Sequence, residues 1–221
     1  MRPLVTCIDA GHGGHDSGAL APDGSKESDY ALDVANRTRG ILITHISVVM
    51  TRVSDVFQTL GQRGVICNNA KCDSFVSIHF NSAKSKTSTG REIFTTRGQN
   101  NSDKLADKIE AHNARLFPNQ RTRRDMRDGD IDKEAGFKVI RQAACPAVLV
   151  EGEFIHNTKG AAWIANESNR QKMGEAIAYG ILDFHGVAYQ LMPTTPDLKP
   201  TAKTIEERVA RIEQYLDFKL P

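Results

Sequence analysis

The sequence predicts an α/β fold: a twisted, mostly parallel sheet flanked by helices. Three observations carry this expectation. Short apolar runs alternate with helical patterns from the N-terminus onward, the turn after the first run is rich in glycine and polar side chains, and 221 residues suit one ordinary domain with a short appendage. A domain of that size buries a sizeable core without cross-links.

Leu4 to Ile8 form the first expected strand, and the stretch IDAGHGGHDSGA (8–19) follows at its C-terminal end, where α/β proteins keep their ligands. A dinucleotide turn needs G-x-G-x-x-G. Gly11 and Gly13 begin that pattern, but Asp16 holds the third position, so the better reading is a metal site in which the glycines bend the backbone around His12. After the polar turn APDGSK, Glu27 to Ile43 read as a helix capped by Ser25 or Ser28. A strand at 46–51, a helix over Phe57 to Ala70 and a strand at 73–80 complete three alternations. Arg91 to Thr95 predict another strand, and Ser102 to Phe117 a helix with Ser102 as N-cap and Pro118 beyond its end. RTRRDMRDGDID (121–132) is a charged loop. Pro146 leads into AVLVE, a fifth, buried strand ending at Glu151, and one long helical region covers about Lys159 to Phe184.

Composition narrows the function classes. With 29 basic and 27 acidic residues the net charge is +2, which leaves no electrostatic footprint for a nucleic-acid partner. No run of eighteen apolar residues occurs, so membrane insertion is not expected, and MRPLVTCID lacks the apolar core of a signal peptide. The four cysteines, Cys7, Cys67, Cys72 and Cys145, lack C-x-x-C spacing and read as reduced, partly buried thiols rather than a disulfide framework or a zinc cluster.

His12, His79 and Glu151 lie at the C-terminal edges of the first, third and fifth expected strands, which a parallel sheet gathers together. Glu27 opens the first helix and can face the same cleft. Two histidines and a carboxylate are the ligand set of open catalytic zinc sites, with bonds of about 2 Å, and a further glutamate can serve as general base.

In order and spacing, the stretches IDAGHGGHDSGA, KESD, TRVSDVFQTLGQR, FVSIHFNS and PAVLVEGEFIHN resemble the zinc-dependent N-acetylmuramoyl-L-alanine amidases of the amidase-3 type, a family that includes bacterial autolysins and phage endolysins. The resemblance spans about residues 4 to 186. It implies a phosphorylase/hydrolase-like sheet, Zn2+ held by His12, Glu27 and His79, and Glu151 as the catalytic glutamate. The implied reaction is hydrolysis, in peptidoglycan, of the amide between the lactyl group of N-acetylmuramic acid and L-alanine. One departure stands out: an apolar residue and then glycine commonly follow the family's strand glutamate, whereas here the order is Glu151, Gly152, Glu153, Phe154. Glu153 is thus a second candidate. Glu151 is preferred because it ends the apolar run, with Glu153 expected in the turn toward Asn157. Arg52, Asp55 and Arg63 are expected to anchor turns and a helix end. Asn81 either positions the histidine loop or touches substrate. The basic run Arg121, Arg123, Arg124 and Arg127 reads as a solvated surface or else meets stem-peptide carboxylates at the cleft rim, with Arg127 the candidate substrate contact.

Residues 1–190 are accordingly expected to form the catalytic domain, 191–203 a Pro/Thr-rich linker and 204–221 an amphipathic helix. Ile205, Val209, Ile212 and Leu216 follow heptad spacing, which fits either a helix folded back on the domain or a homo-oligomer, and the stiff linker favours the latter. The expected setting is a phage or prophage endolysin, made in the host cytoplasm without a signal peptide and acting on the wall after release. The interval from His79 to Glu151 holds one ordinary helix and no inhibitory helical insertion, which predicts an open site. Two other readings stay open: a zinc-containing wall-binding or virion structural module without catalysis, and a zinc peptidase of the stem peptide.

Overall fold

A computed structural model describes residues 2–126 and 129–191. The elements run β1 (Val5–Ala10), α1 (Glu27–Leu42), β2 (Ser47–Met50), α2 (Leu60–Asn69), β3 (Ser74–Asn81), β4 (Glu92–Thr95), α3 (Asn101–Leu116), β5 (Lys133–Glu134), α4 (Lys138–Arg141), β6 (Ala147–Phe154), α5 (Thr158–Ala165) and α6 (Glu167–Phe184). The sheet has six strands in the order β2-β1-β3-β6-β4-β5. Every pairing is parallel except β4 with β6, so the expected twisted, mostly parallel sheet flanked by helices is what the chain forms.

Strand alternation divides the interior into two layers. Ile8, Ala10, Val76, Ile78, Phe80, Val148 and Val150 face α1, α3 and α6 and form the larger core. Cys7, Phe75, Ala147 and Leu149 face the other way, toward α2 and α4. At Gly180 a Cβ would lie 2.5 Å from the Ile109 Cα, so α6 and α3 pack nearly backbone to backbone and a larger residue there would force them apart.

Several local expectations are corrected. The single helix over 159–184 is two helices, because Asn166 leaves the helical path and caps α6 by accepting from Ser168 N at 2.9 Å, while Arg170 Nη1 donates to the carbonyls of Ile164 and Ala165. The cap of α3 is Asn100, in a capping box with Asp103, and Ser102 lies inside the helix. Neither Ser25 nor Ser28 caps α1, whose N-cap is Lys26; the Ser28 carbonyl accepts from Arg52 instead. The second helix begins at Leu60, where Thr59 and Gln62 close a capping box. Strand β5 and helix α4 lie beyond the charged loop, in the stretch before Pro146 for which no element was expected. The proposed linker at 191–203 and helix at 204–221 lie outside the described residues, apart from Leu191. No helix among the described residues is long and apolar enough to cross a membrane.

Candidate metal centre and catalytic edge

The three strands that carry or precede the candidate residues, β1, β3 and β6, are neighbours in the sheet, and β6 runs past Glu151 to Phe154 rather than ending at it. His12 follows β1 in a left-handed conformation, with φ +58°, which a non-glycine residue adopts only when its surroundings hold it there. Two buried arginines do so. Arg52 donates to the carbonyls of Ala10 and Gly11 at 2.9 and 2.8 Å, and Arg63, from α2, donates to the carbonyl of His12 at 2.7 Å. Arg63 also bonds the Ala10 carbonyl and the fully buried Asp9, and Asp55 accepts from Gly14 N at 2.7 Å. These anchors match the roles expected of Arg52, Asp55 and Arg63. Gly11 answers to a different demand, since a Cβ there would sit 2.3 Å from the His79 ring.

Around this loop the donors converge. His12 Nε2 stands 3.1 Å and His79 Nδ1 3.0 Å from Glu27 Oε1, and the ligand atoms of the three residues lie within 4.8 Å of one another. Tetrahedral zinc with bonds of about 2 Å separates its ligand atoms by roughly 3.3 Å, so the donor set and its spacing fit that metal. His12 and Glu27 are oriented from behind. Asp16 Oδ2 lies 2.9 Å from His12 Nδ1, which leaves Nε2 to face Glu27. Glu27 accepts from Phe80 N and Ala19 N at 3.0 and 2.9 Å. Burial acts to raise the Glu27 carboxyl, but its bonds to His12 and His79 prevail and hold it well below the usual carboxylate range. For His12, burial disfavours the charged imidazole, yet Glu27 and Asp16 carry its pKa above the ordinary value.

Beside this cluster runs a row set by strand register: His79 pairs with Glu151, and Glu151 with Glu92. Glu92 is paired with Lys133 Nζ at 2.9 Å and with Arg123, and it accepts from Asn81 Nδ2 at 2.8 Å. Glu151 is different. Its Oε2 is out of solvent with no hydrogen-bond partner, and burial, with the carboxylates of Glu27 and Glu92 nearby, pushes its pKa well above the usual range. An unpartnered carboxylate oxygen next to a donor cluster is what a proton-accepting residue needs.

The second candidate, Glu153, is not in the turn where it was expected. It lies within β6, buried, accepting from Gly90 N at 2.6 Å, Phe154 N at 2.9 Å and Gln120 Nε2 at 3.2 Å. Its oxygens are used in holding loops. Gly152, the residue that departs from the family order, has no room for a side chain, since a Cβ would meet Met173 Sδ at 2.5 Å. Sequence reasoning missed Glu92 and misread Arg123 as part of a solvated run. Arg123 bonds Glu92 and stacks 5.1 Å over the Phe154 ring. Arg127 lies outside the described residues. The remaining histidines are spent elsewhere or exposed; His112 bonds Asp183 and His185 bonds Ser74.

A parallel α/β sheet that presents two imidazoles, a carboxylate and an unpartnered glutamate along one strand-end edge has the arrangement of a hydrolytic metal site. Comparison with known proteins makes the assignment specific. The chain belongs to the N-acetylmuramoyl-L-alanine amidase family, whose model matches residues 6–183. It is 36% identical over 188 residues to an endolysin of Bacillus phage SPP1, covering 83% of this chain and 66% of that protein. To the N-acetylmuramoyl-L-alanine amidase AmiC of Escherichia coli it is 30% identical over 218 residues, covering 81% and 52% respectively. Among solved structures, the catalytic domain of the amidase CwlV from Paenibacillus polymyxa superposes with a TM-score of 0.74 at 32% identity, covering 84% of this chain and 99% of that one. The chain thus spans less than two thirds of the length of these curated relatives.

Proposed function

We propose that this chain is a zinc-dependent peptidoglycan hydrolase that cleaves the amide between the lactyl group of N-acetylmuramic acid and L-alanine. The carrying observation is the convergence of His12, Glu27 and His79 beside the unpartnered Oε2 of Glu151. His12 Nε2, His79 Nδ1 and a Glu27 oxygen would hold Zn2+. Zinc so bound would lower the pKa of a water toward about 7 and polarise the scissile carbonyl. Glu151 takes the proton of the attacking water and delivers it to the departing alanine nitrogen, which stops that nitrogen from re-forming the bond. Asp16 keeps His12 in the tautomer that leaves Nε2 free to bind, and the amides of Phe80 and Ala19 hold Glu27 in place. We assign Asn81, held by Glu92 at the same edge, and Arg127 to substrate contact. The phage relative supports an endolysin setting, with synthesis in a host cytoplasm and action on the cell wall.

Mass spectrometry of muropeptides after digestion tests this. The expected products are glycans without stem peptides and peptides with new N-terminal alanine, formed only without chelator. New termini inside the stem peptide would favour a peptidase, and intact muropeptides with tight wall binding would favour a non-catalytic module.

A further inference from the structure

The four cysteines are free thiols, as expected, and they lie near one another in the fold. They come from β1, α2, the turn before β3 and the segment before β6; Cys7, Cys67 and Cys72 meet beneath the sheet, and Cys145 lies against Cys67. The Sγ atoms of Cys7, Cys67 and Cys72 lie within 4.8 Å of one another, and Cys145 Sγ is 3.7 Å from Cys67 Sγ. Tetrahedral zinc–thiolate bonds of about 2.3 Å place neighbouring sulfurs about 3.8 Å apart. Cys7 and Cys67 are fully buried, and Phe75, Val139, Ile140 and Leu149 wall the cluster with apolar surface.

Three local devices build this meeting. Lys71 takes a left-handed conformation with φ +50°, costing roughly 1 kcal/mol for a residue with a Cβ. That turn lets Cys72 N bond back to the Cys67 carbonyl at 3.2 Å, which folds Cys72 beside Cys67. The side chain of Asn68 then clamps the segment before β6, donating to the Gln142 carbonyl at 2.9 Å and accepting from Ala144 N at 2.8 Å, so that Cys145 is delivered to Cys67. Gly64 allows the approach, since a Cβ there would lie 2.9 Å from the Gln142 Cβ.

We propose that Cys7, Cys67, Cys72 and Cys145 form a second metal site, a thiolate cage for a soft divalent cation of the zinc class. On binding, each ligand thiol releases its proton to solvent and no atom changes oxidation state. The cage ties α2 to β1 and to the segment leading into β6. Because α2 also carries Arg63, the same tie steadies the loop of His12. The site stands independently of the proposed amidase chemistry.

The test is titration of the reduced, metal-free full chain with Co2+ alone. Thiolate coordination produces an intense sulfur-to-cobalt charge-transfer band in the near ultraviolet, which imidazole and carboxylate ligands do not produce. The expected band saturates at one cobalt per chain, persists in His12→Ala and disappears in Cys67→Ser. Circular dichroism checks that the variants are folded, and Cys145→Ser, at the partly exposed corner, serves if Cys67→Ser does not fold. Loss of a second, bandless cobalt equivalent in His12→Ala reports the catalytic centre separately. A reduced wild-type chain with four titratable thiols and no near-ultraviolet band overturns the proposal. So does a band that survives in both folded cysteine variants, or a thiol count that falls by two in denaturant without reductant, which would mean a disulfide.

Discussion

Replacing Arg63 by methionine should be the most costly single change near the site that leaves every proposed ligand residue in place. The guanidinium is 2% exposed and makes four kinds of contact: Asp9 Oδ1 at 2.7 Å, the Ala10 carbonyl at 2.6 Å, the His12 carbonyl at 2.7 Å and the Gln58 carbonyl at 3.1 Å. Methionine keeps the length and removes every donor. Asp9, fully buried, would keep only the hydroxyls of Thr51 and Ser77, each at 2.6 Å. Breaking a buried pair by removing one partner costs about 3–5 kcal/mol, and the two remaining hydroxyls place this case near the lower figure. Loss of a donor to the His12 carbonyl adds roughly 1 kcal/mol. The sum, about 4 kcal/mol, corresponds to a fall in Tm of roughly 10 °C for a domain of this size. Urea denaturation followed by circular dichroism measures the first figure and a thermal scan the second. The double variant Asp9→Asn/Arg63→Met should recover about half the loss or more, because the carboxylate left without its cation is the main penalty. A loss below about 1 kcal/mol, the size of an exposed ion pair, would refute the reasoning, as would failure of the second change to rescue.

Glu151→Gln should retain metal binding while turnover falls by about 10²- to 10⁴-fold, whereas Glu153→Gln should lower thermal stability and leave the metal affinity of folded protein near wild type; the opposite pattern would reverse their roles. Gly11→Ala should displace the His79 ring and weaken zinc binding at least about tenfold, read by competition with a chromophoric chelator, with little change in far-ultraviolet circular dichroism. Burial works to raise the Asp33 carboxyl, but Arg37 and Arg170 hold it below its ordinary value. A depressed carboxyl stabilises the fold above its unfolded pKa of about 4, and that contribution is lost as pH falls through the folded value, so Asp33→Asn should flatten the acid limb of the stability profile. An unchanged acid limb would contradict this.

The residues legible in the sequence are those whose role follows from strand direction alone. His12, His79 and Glu151 end apolar runs, and any parallel sheet with those strands side by side gathers their ends. Glu27 opens the first helix, and so reaches the same edge. What was hidden depends on register and on the partner chosen by each polar atom. Glu92 joins the row only because β4 turns antiparallel against β6, a choice that no local pattern encodes. Asn100 takes the cap from Ser102, and Asn166 splits a continuous helical pattern, because several residues compete for each helix end and packing selects among them. The closeness of the cysteines was hidden for the same reason, although they are the free, largely buried thiols that were expected. Their meeting depends on one left-handed lysine and one asparagine clamp, neither of which C-x-x-C spacing reports.

The place of β6 in the strand order has a consequence for synthesis. β6 lies between β3 and β4, although both precede it in the chain. A nascent polypeptide that has reached residue 146 already carries His12, Glu27 and His79, but the seat between β3 and β4 is vacant and both facing edges are bare. The strand that fills it also delivers Glu151, so closing the sheet and supplying the proposed proton acceptor are one event. A pairing between residues as far apart as His79 and Glu151 forms late and slowly. A chain that stops before residue 147 would therefore lack the proposed proton acceptor and be prone to associate through its open edges, so under the proposed function the ability to cut would report that translation has passed β6.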